Sequence, residues 1–302
     1  VGQAELDGEY ISIGAHRKEW NMKILITGAT GTVGGHLARQ VTGQGHEVVA
    51  LVRDASRAKG KLPAEVGLIE GDLTSPGDVR RAVEGVDRAF LNMADDNGAA
   101  FAAAAGQAGT GGVALLSSFS TVVPLVHGDG NIVTGRHRAG EKALTEAGVP
   151  AAFLRAAGFD YNILLWAGQA RDGVVRAPYP DVKLPIVDPA DIAASAAAVL
   201  LAEPPLTGAF SITGPEKLSN RDQAAVLSEL LGKPLTVEQI SEADAAKLAF
   251  PDGTPGIVTS SVLGTMSPAA SALEVSGDVE KLTGHGPRTF ADWAKENVEA
   301  FR

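Results

Sequence analysis

Short apolar runs alternate along this chain with amphipathic stretches, and glycine, proline or a capping residue separates most of them. Residues 22–27 form the first run and predict a strand. Residues 33–42 then carry apolar side chains at helical spacing. Further strands are predicted at 46–52 and 66–70. Ser75 followed by Pro76 marks a helix start running to about residue 84, because a serine oxygen caps free N–H groups and proline suits the first helical position. A strand at 87–92, an alanine-rich helix at 99–108 and a strand at 112–116 follow. A helix at 136–147 and a strand at 151–154 complete the series. Strands and helices in strict alternation predict an α/β fold, a doubly wound parallel sheet covered on both faces and complete by about residue 155.

The rhythm then loosens. Residues 159–170 read as an apolar helix, and 173–176 and 183–187 as short strands. Asp188-Pro189 opens a helix to about residue 202 by the same cap-and-proline logic. A strand at 209–213 and a helix at 219–231, ended by Gly232, come next. Residues 235–302 read as mixed short elements with a terminal helix. The chain therefore divides into an N-terminal extension (1–21), a core (22–155) and a smaller C-terminal region (156–302). Some elements of that last region pack back on the core, over the carboxyl end of the sheet where open α/β folds bind ligands.

Composition narrows the function classes. Net charge is −10, which disfavours nucleic acid, since phosphate contacts need Lys and Arg. The chain has no cysteine, so disulfides, thiolate nucleophiles and Cys-ligated zinc are excluded, and no metal site is predicted. No apolar run approaches the roughly 20 residues of a membrane helix. Residues 1–21 lack the apolar centre of a signal peptide, although Tyr10-Ile11-Ser12-Ile13 alternates like a short strand. A cytoplasmic protein, monomer or homodimer, is expected.

The chemistry-bearing feature is Thr27-Gly28-Ala29-Thr30-Gly31-Thr32-Val33-Gly34, set between the first strand and the first helix. Gly28 permits a sharp turn, Gly31 a close approach of backbone to phosphate, and Gly34 close packing of helix on strand. The helix start adds free N–H groups and a positive dipole end for a pyrophosphate. A dinucleotide is the expected cofactor. Arg53 ends strand two, with Arg57 and Lys59 nearby, and a guanidinium there favours the 2′-phosphate of NADP(H). NAD(H) stays possible if Asp54 takes the ribose instead. After strand three, Asp72 either receives the adenine amino group or only caps the turn toward Ser75, and Leu73 and Asn92 lie on the same edge. The cofactor set is thus Gly28, Thr30, Gly31, Thr32, Val33, Gly34, Arg53, Asp72, Leu73, Asn92 and Ser117.

These segments, with the stretch from Arg136 to Leu144, Leu154-Arg155, the stretch from Pro185 to Ala193, and Ile212-Thr213-Gly214-Pro215-Glu216, resemble NmrA-like proteins, atypical short-chain dehydrogenase/reductases. The resemblance runs from Met22 to the C-terminus. It implies a Rossmann domain, NAD(P)(H) and a small substrate-binding region. It does not imply one activity, because the family includes quinone and carbonyl reductases and non-catalytic redox sensors. Ordinary relatives use Tyr-x-x-x-Lys to protonate the substrate oxygen. Counted from Glu141, those positions fall on Val133 and His137, and none of the three tyrosines (10, 161 and 179) sits in that pattern. The chain also resembles an angucyclinone ketoreductase that lacks the same Tyr.

Candidates to fill the gap are Ser117 and Ser118 at the strand-five end, His137 and Tyr161. The serines either contact substrate or satisfy backbone groups. His137 titrates near neutrality if unperturbed, but Arg136 and Arg138 oppose its charge. His127 reads as a loop residue. Phe159, Tyr161, Asn162, Trp166 and Tyr179 suit either a flat hydrophobic substrate or plain core packing. The expected function is an NADPH-dependent reductase of a carbonyl in a bulky aromatic or polyketide-like ketone or quinone. The alternative is an NADP-binding redox-sensing regulator without turnover.

Overall fold

The computed structural model describes residues 21–302, so the expected 10–13 strand lies outside the described residues. The strands are β1 (Lys23–Thr27), β2 (Glu47–Val52), β3 (Gly67–Glu70), β4 (Arg88–Leu91), β5 (Gly112–Ser118), β6 (Ala151–Ala156), β7 (Val174–Ala177), β8 (Gly208–Ile212) and β9 (Thr236–Gln239). The first helices are α1 (Thr32–Thr42), α2 (Ala55–Ala58), α3 (Pro76–Val83), α4 (Ala99–Ala108) and α5 (Ile132–Glu146). After β6 come α6 (Ala167–Arg171), α7 (Pro189–Leu201), α8 (Asn220–Leu231), α9 (Glu242–Ala249), α10 (Gly256–Gly264), α11 (Asp278–Thr283) and α12 (Phe290–Asn297).

The main sheet has the order β3-β2-β1-β4-β5-β6-β8, and every pairing in it is parallel. The alternation of strand side chains explains why these runs read as continuously apolar. On β1, Ile24 and Ile26 enter one core, with α1 and α7, while Leu25 enters the other, with α3, α4 and α5. On β2 and β5 the same split recurs, Ala50 and Leu116 on one side, Leu51 and Leu115 on the other. Each such leucine or isoleucine removed from water contributes about 1.5–3 kcal/mol. The order reverses between β1 and β4, so connections leave in opposite directions and open a crevice at their carboxyl ends.

A third cluster belongs to the C-terminal region. Trp166, Leu227, Trp293 and Phe301 centre it, with Phe290 stacked on Trp293 at a centroid distance of 5.8 Å. β7 and β9 pair beside it as a separate two-stranded sheet.

The differences from the expected elements have physical causes. The sheet is not complete at residue 155, because β8 pairs with β6 and α7 packs on α1. β5 continues through Ser117 and Ser118, which pair in register with Arg155 and Ala156 of β6. α5 starts at Ile132 rather than 136, since the Asn131 side chain accepts from the Thr134 N–H at 3.1 Å and caps it there. Residues 183–187 make only isolated bridges, Leu184 with Leu218 and Phe159 with Val187, because Pro185 has no N–H for a ladder. The helix expected at 159–170 is a 3-10 segment, Asp160–Trp166, followed by α6; no side chain caps it.

Candidate active site

The glycine turn folds as a cradle. Gly28 has φ +64°, where an L side chain is strained, and a Cβ there would lie 2.8 Å from Nδ2 of Asn92. A Cβ on Gly34 would lie 2.8 Å from the Gly28 carbonyl carbon, so only glycine lets α1 sit this close to the turn. Gly31 begins α1 with no side-chain cap. Thr32, Val33 and Gly34 form the first turn, with Val33 and Gly34 buried. Their backbone N–H groups, uncapped by any side chain, are what the turn offers an anion. Thr27 locks the neighbouring strand end, its Oγ1 accepting from the Asn92 N–H at 2.8 Å.

Beside the turn lies a cavity of about 830 Å³, lined by Gly28, Thr30, Arg53, Asp72, Leu73 and Asn92 among others. That volume is within the roughly 300–1,000 Å³ of ordinary ligand pockets. Gly31, Thr32, Val33, Gly34 and Ser117 do not line it. Asp54 is engaged elsewhere: its Oδ1 accepts from Ser56 Oγ at 2.6 Å and the Arg57 N–H at 3.0 Å, and its Oδ2 pairs with Arg57 at 3.2 Å. Among the described residues, three lining cations, Arg53, Lys61 and Arg136, form no ion pair, and Arg53 and Lys61 lie on the Asp54 side of the cavity, where Arg53 also acts electrostatically on Asp72. Lys61 lines the cavity and Lys59 does not, because the short helix α2 ends at Ala58 and turns the chain. Asp72 caps its turn, one of the two roles expected of it, and also lines the cavity. Its Oδ1 accepts from the Thr74 N–H and Oγ1, each at 2.7 Å, which holds its carboxyl below the usual range.

A residue overlooked in the sequence closes the other end. Arg136 donates through Nη2 to the carbonyls of Met93 at 2.7 Å and Ala94 at 3.0 Å, tying α5 to the loop after β4. Its position in a helix of mixed charge gave no signal that it would reach the cavity.

The cradle fits a phosphorylated dinucleotide: backbone room at the turn, a bare helix start, adequate volume, and Arg53 and Lys61 at one end without an ion pair among the described residues. The proton-donor candidates fare differently. Ser117 is buried, and its hydroxyl donates to Glu141 Oε1 at 2.6 Å. The same carboxylate accepts from Arg155 Nε at 3.0 Å and Nη2 at 2.7 Å. Ser117 therefore joins a buried lock between β5, α5 and β6, with its proton committed. Ser118 Oγ accepts from the Ser120 N–H at 3.2 Å and keeps its own proton to donate. His137 lies one turn before Glu141 on α5; burial and then Arg136 push its pKa down to about 4, so it is neutral at neutral pH. Tyr161 stands 44% exposed and lines none of the cavities described. His127 sits in an exposed loop, its Nε2 2.8 Å from Ser260 Oγ of α10.

Of the aromatic segment, Phe159 packs on the main core and Trp166 on the C-terminal one. Asn162, Trp166 and Tyr179 also line a second, smaller pocket. Among the described residues no helix is long and apolar enough to cross a membrane.

The pattern of the NmrA-like family matches residues 21–294. The chain is 34% identical over 287 residues to a (4-alkanoyl-5-oxo-2,5-dihydrofuran-3-yl)methyl phosphate reductase of Streptomyces griseus, covering 92% of this chain and 99% of that protein. It is 30% identical over 286 residues to an NAD(P)H azoreductase of Xenophilus azovorans, covering 92% and 99%. The solved NADPH-dependent quinone oxidoreductase 2 of Escherichia coli superposes with a TM-score of 0.73 at 26% identity, covering 92% of this chain and all of that one. This chain belongs to the NmrA-like family.

Proposed function

We propose that this member of the NmrA-like family is an NADPH-dependent reductase acting on a conjugated, flat acceptor, a quinone or the carbonyl of an aromatic or polyketide-like ketone. The observation that carries the reading is a dinucleotide cradle beside α5, which holds Val133 and a neutral His137 where ordinary short-chain dehydrogenase/reductases keep Tyr and Lys. NADPH, when bound, supplies hydride from its nicotinamide ring. The protein's own residues do the rest. Arg53 and Lys61 would hold the 2′-phosphate, and the bare start of α1 would receive the pyrophosphate. The Glu141 lock fixes the ends of β5 and β6, so backbone there is preorganised for the acceptor.

An isolated alkoxide concentrates the charge on one oxygen, so it needs a donor positioned beside that oxygen as the charge forms. A quinone or conjugated carbonyl spreads the incoming electron pair over its π-system, so the proton can come from water or from the Ser118 hydroxyl. The named relatives support this, since a furanone, an azo bond and a quinone are all conjugated acceptors.

The test is NADPH oxidation by the purified chain, followed by loss of nicotinamide absorbance, with naphthoquinone, a polycyclic hydroxyketone and an isolated aliphatic ketone. Turnover with the first two and not the third is expected. Tight NADPH binding with no turnover on any acceptor would replace this reading with the redox-sensing regulator.

A further inference from the structure

The second pocket has a volume of about 160 Å³ and lies between the Asp160–Trp166 segment, β7, α9 and α10. Its walls start from the site. The Asp160–Trp166 segment leaves the turn at the carboxyl end of β6, and contributes Ile163, Leu165 and Trp166. α10 contributes Leu263 and is fastened to the start of α5, where Ser261 Oγ accepts from the Ile132 N–H at 3.1 Å. The pocket is thus walled by a segment that leaves β6 and by a helix fastened to α5, and β6 and α5 are both neighbours of β5.

Its lining is mainly apolar; Arg176, Tyr179, Gln169 and Asn220 are already engaged, and Asn162 adds one uncharged amide. Arg176 Nε binds Glu238 at 3.0 Å, and the Tyr179 hydroxyl donates to Glu242. Gln169 accepts from the Arg176 N–H at 3.0 Å. A phosphate or carboxylate entering here would meet two glutamates and no unpaired cation among the lining residues, and a buried unpaired charge is strongly disfavoured. The volume matches that of an engineered cavity of about 150 Å³ that binds benzene. At the lip, Leu165 is 73% exposed, Leu248 58% and Met266 38%. They are apolar side chains in water at the mouth of an apolar pocket, and methionine adapts its shape to a partner.

We infer that this pocket takes one uncharged, ring-sized apolar arm of the acceptor, with Leu165, Leu248 and Met266 setting its width. The inference rests on the reductase reading and adds the chemical class of the arm. It also separates this chain from a phosphate-ester reductase, in spite of the relative whose substrate carries a methyl phosphate.

The experiment uses the full chain loaded with NADP. Neutral 1,4-naphthoquinone and anionic 1,4-naphthoquinone-6-sulfonate, whose charge sits on the fused ring that forms the arm, are titrated while tryptophan fluorescence is followed, with Trp166→Phe to identify the signal. Saturable quenching by the neutral quinone, lost in Trp166→Phe, is expected, with binding of the sulfonate weaker by about tenfold or more. Leu248→Glu, at an exposed position, is expected to raise KM for naphthoquinone about tenfold and leave KM for p-benzoquinone, which has no arm, nearly unchanged. Equal binding of the sulfonate, or quenching that survives in Trp166→Phe, overturns the inference. So does a Leu248→Glu variant that changes the oligomeric state by light scattering yet binds naphthoquinone normally, because the lip is then an interface between copies. Quenching needs no turnover, so saturable binding at Trp166 without NADPH oxidation keeps the pocket and removes the reductase.

Discussion

Asp160 is 1% exposed, and neither carboxyl oxygen has a hydrogen-bond partner. Burial, then the nearby charges of Asp188 and Asp191, push its pKa up to about 8, while Arg288 opposes the shift only weakly. Arg288 is otherwise occupied, 3.3 Å from Asp188 Oδ2, with its backbone N–H donating to Asp191 at 2.7 Å. The folded chain therefore holds a proton on Asp160 at neutral pH that the unfolded chain, with a carboxyl near 3.8, has lost. A folded pKa above the unfolded one makes stability fall as pH rises between the two, here from about 4 to about 8. Asp191 is shifted in the same direction by burial. Asp160→Asn keeps the shape and removes the proton. We expect it to match the wild type near the acid end of that window and to be more stable by on the order of a few kcal/mol at its alkaline end. Urea midpoints measured across the window check this; parallel curves for the two proteins would sink it. Nothing in the sequence around Asp160 announces the effect, since the charges that face it, Asp188, Asp191 and Arg288, are all distant along the chain.

At the scale of elements, what could be read early was local. The Ser75-Pro76 and Asp188-Pro189 starts formed as expected, each with its side-chain oxygen accepting an N–H of the first turn. The glycine turn with its strand and helix was equally legible, because each glycine answers to backbone a few residues away. The start of α5 was missed: Asn131 follows a glycine-rich loop, and Gly135 inside the helix weakened its period. The apolar pocket was only half visible as an aromatic segment, because α9 and α10 close it from about a hundred residues further on. The legible part makes a firm prediction. A Cβ at Gly34 meets backbone of Gly28, which cannot swing aside as a side chain would, so α1 must move off the turn. Gly34→Ala is expected to weaken NADPH binding by at least about tenfold and to cost about 1–3 kcal/mol of stability. Calorimetric titration and urea unfolding measure the two effects, and unchanged affinity would mean the first turn of α1 does not hold the pyrophosphate.

The whole molecule is more integrated than a division at residue 155 implies. β8 lies against β6 and hides an edge that would otherwise end the sheet at a strand with buried apolar side chains. α7 contributes Ile192, Ala196 and Leu200 to the same core as Ile24 and Leu37, and α11 adds Val279. Removing the C-terminal half therefore strips one face of α1 and bares β6, and an exposed apolar edge strand pairs with other chains. A fragment of residues 21–156 is expected to aggregate or to show no cooperative thermal transition by circular dichroism, and to bind NADPH far more weakly than the full chain, because α1 loses its packing partner α7. The full chain should melt in one transition, at a temperature that rises with NADPH concentration. A fragment that melts cooperatively and still binds NADPH would show that the cofactor half folds alone. The C-terminal region would then be an added cover, free to move as a body over the nicotinamide end, and the pocket behind Trp166 would open and close with it.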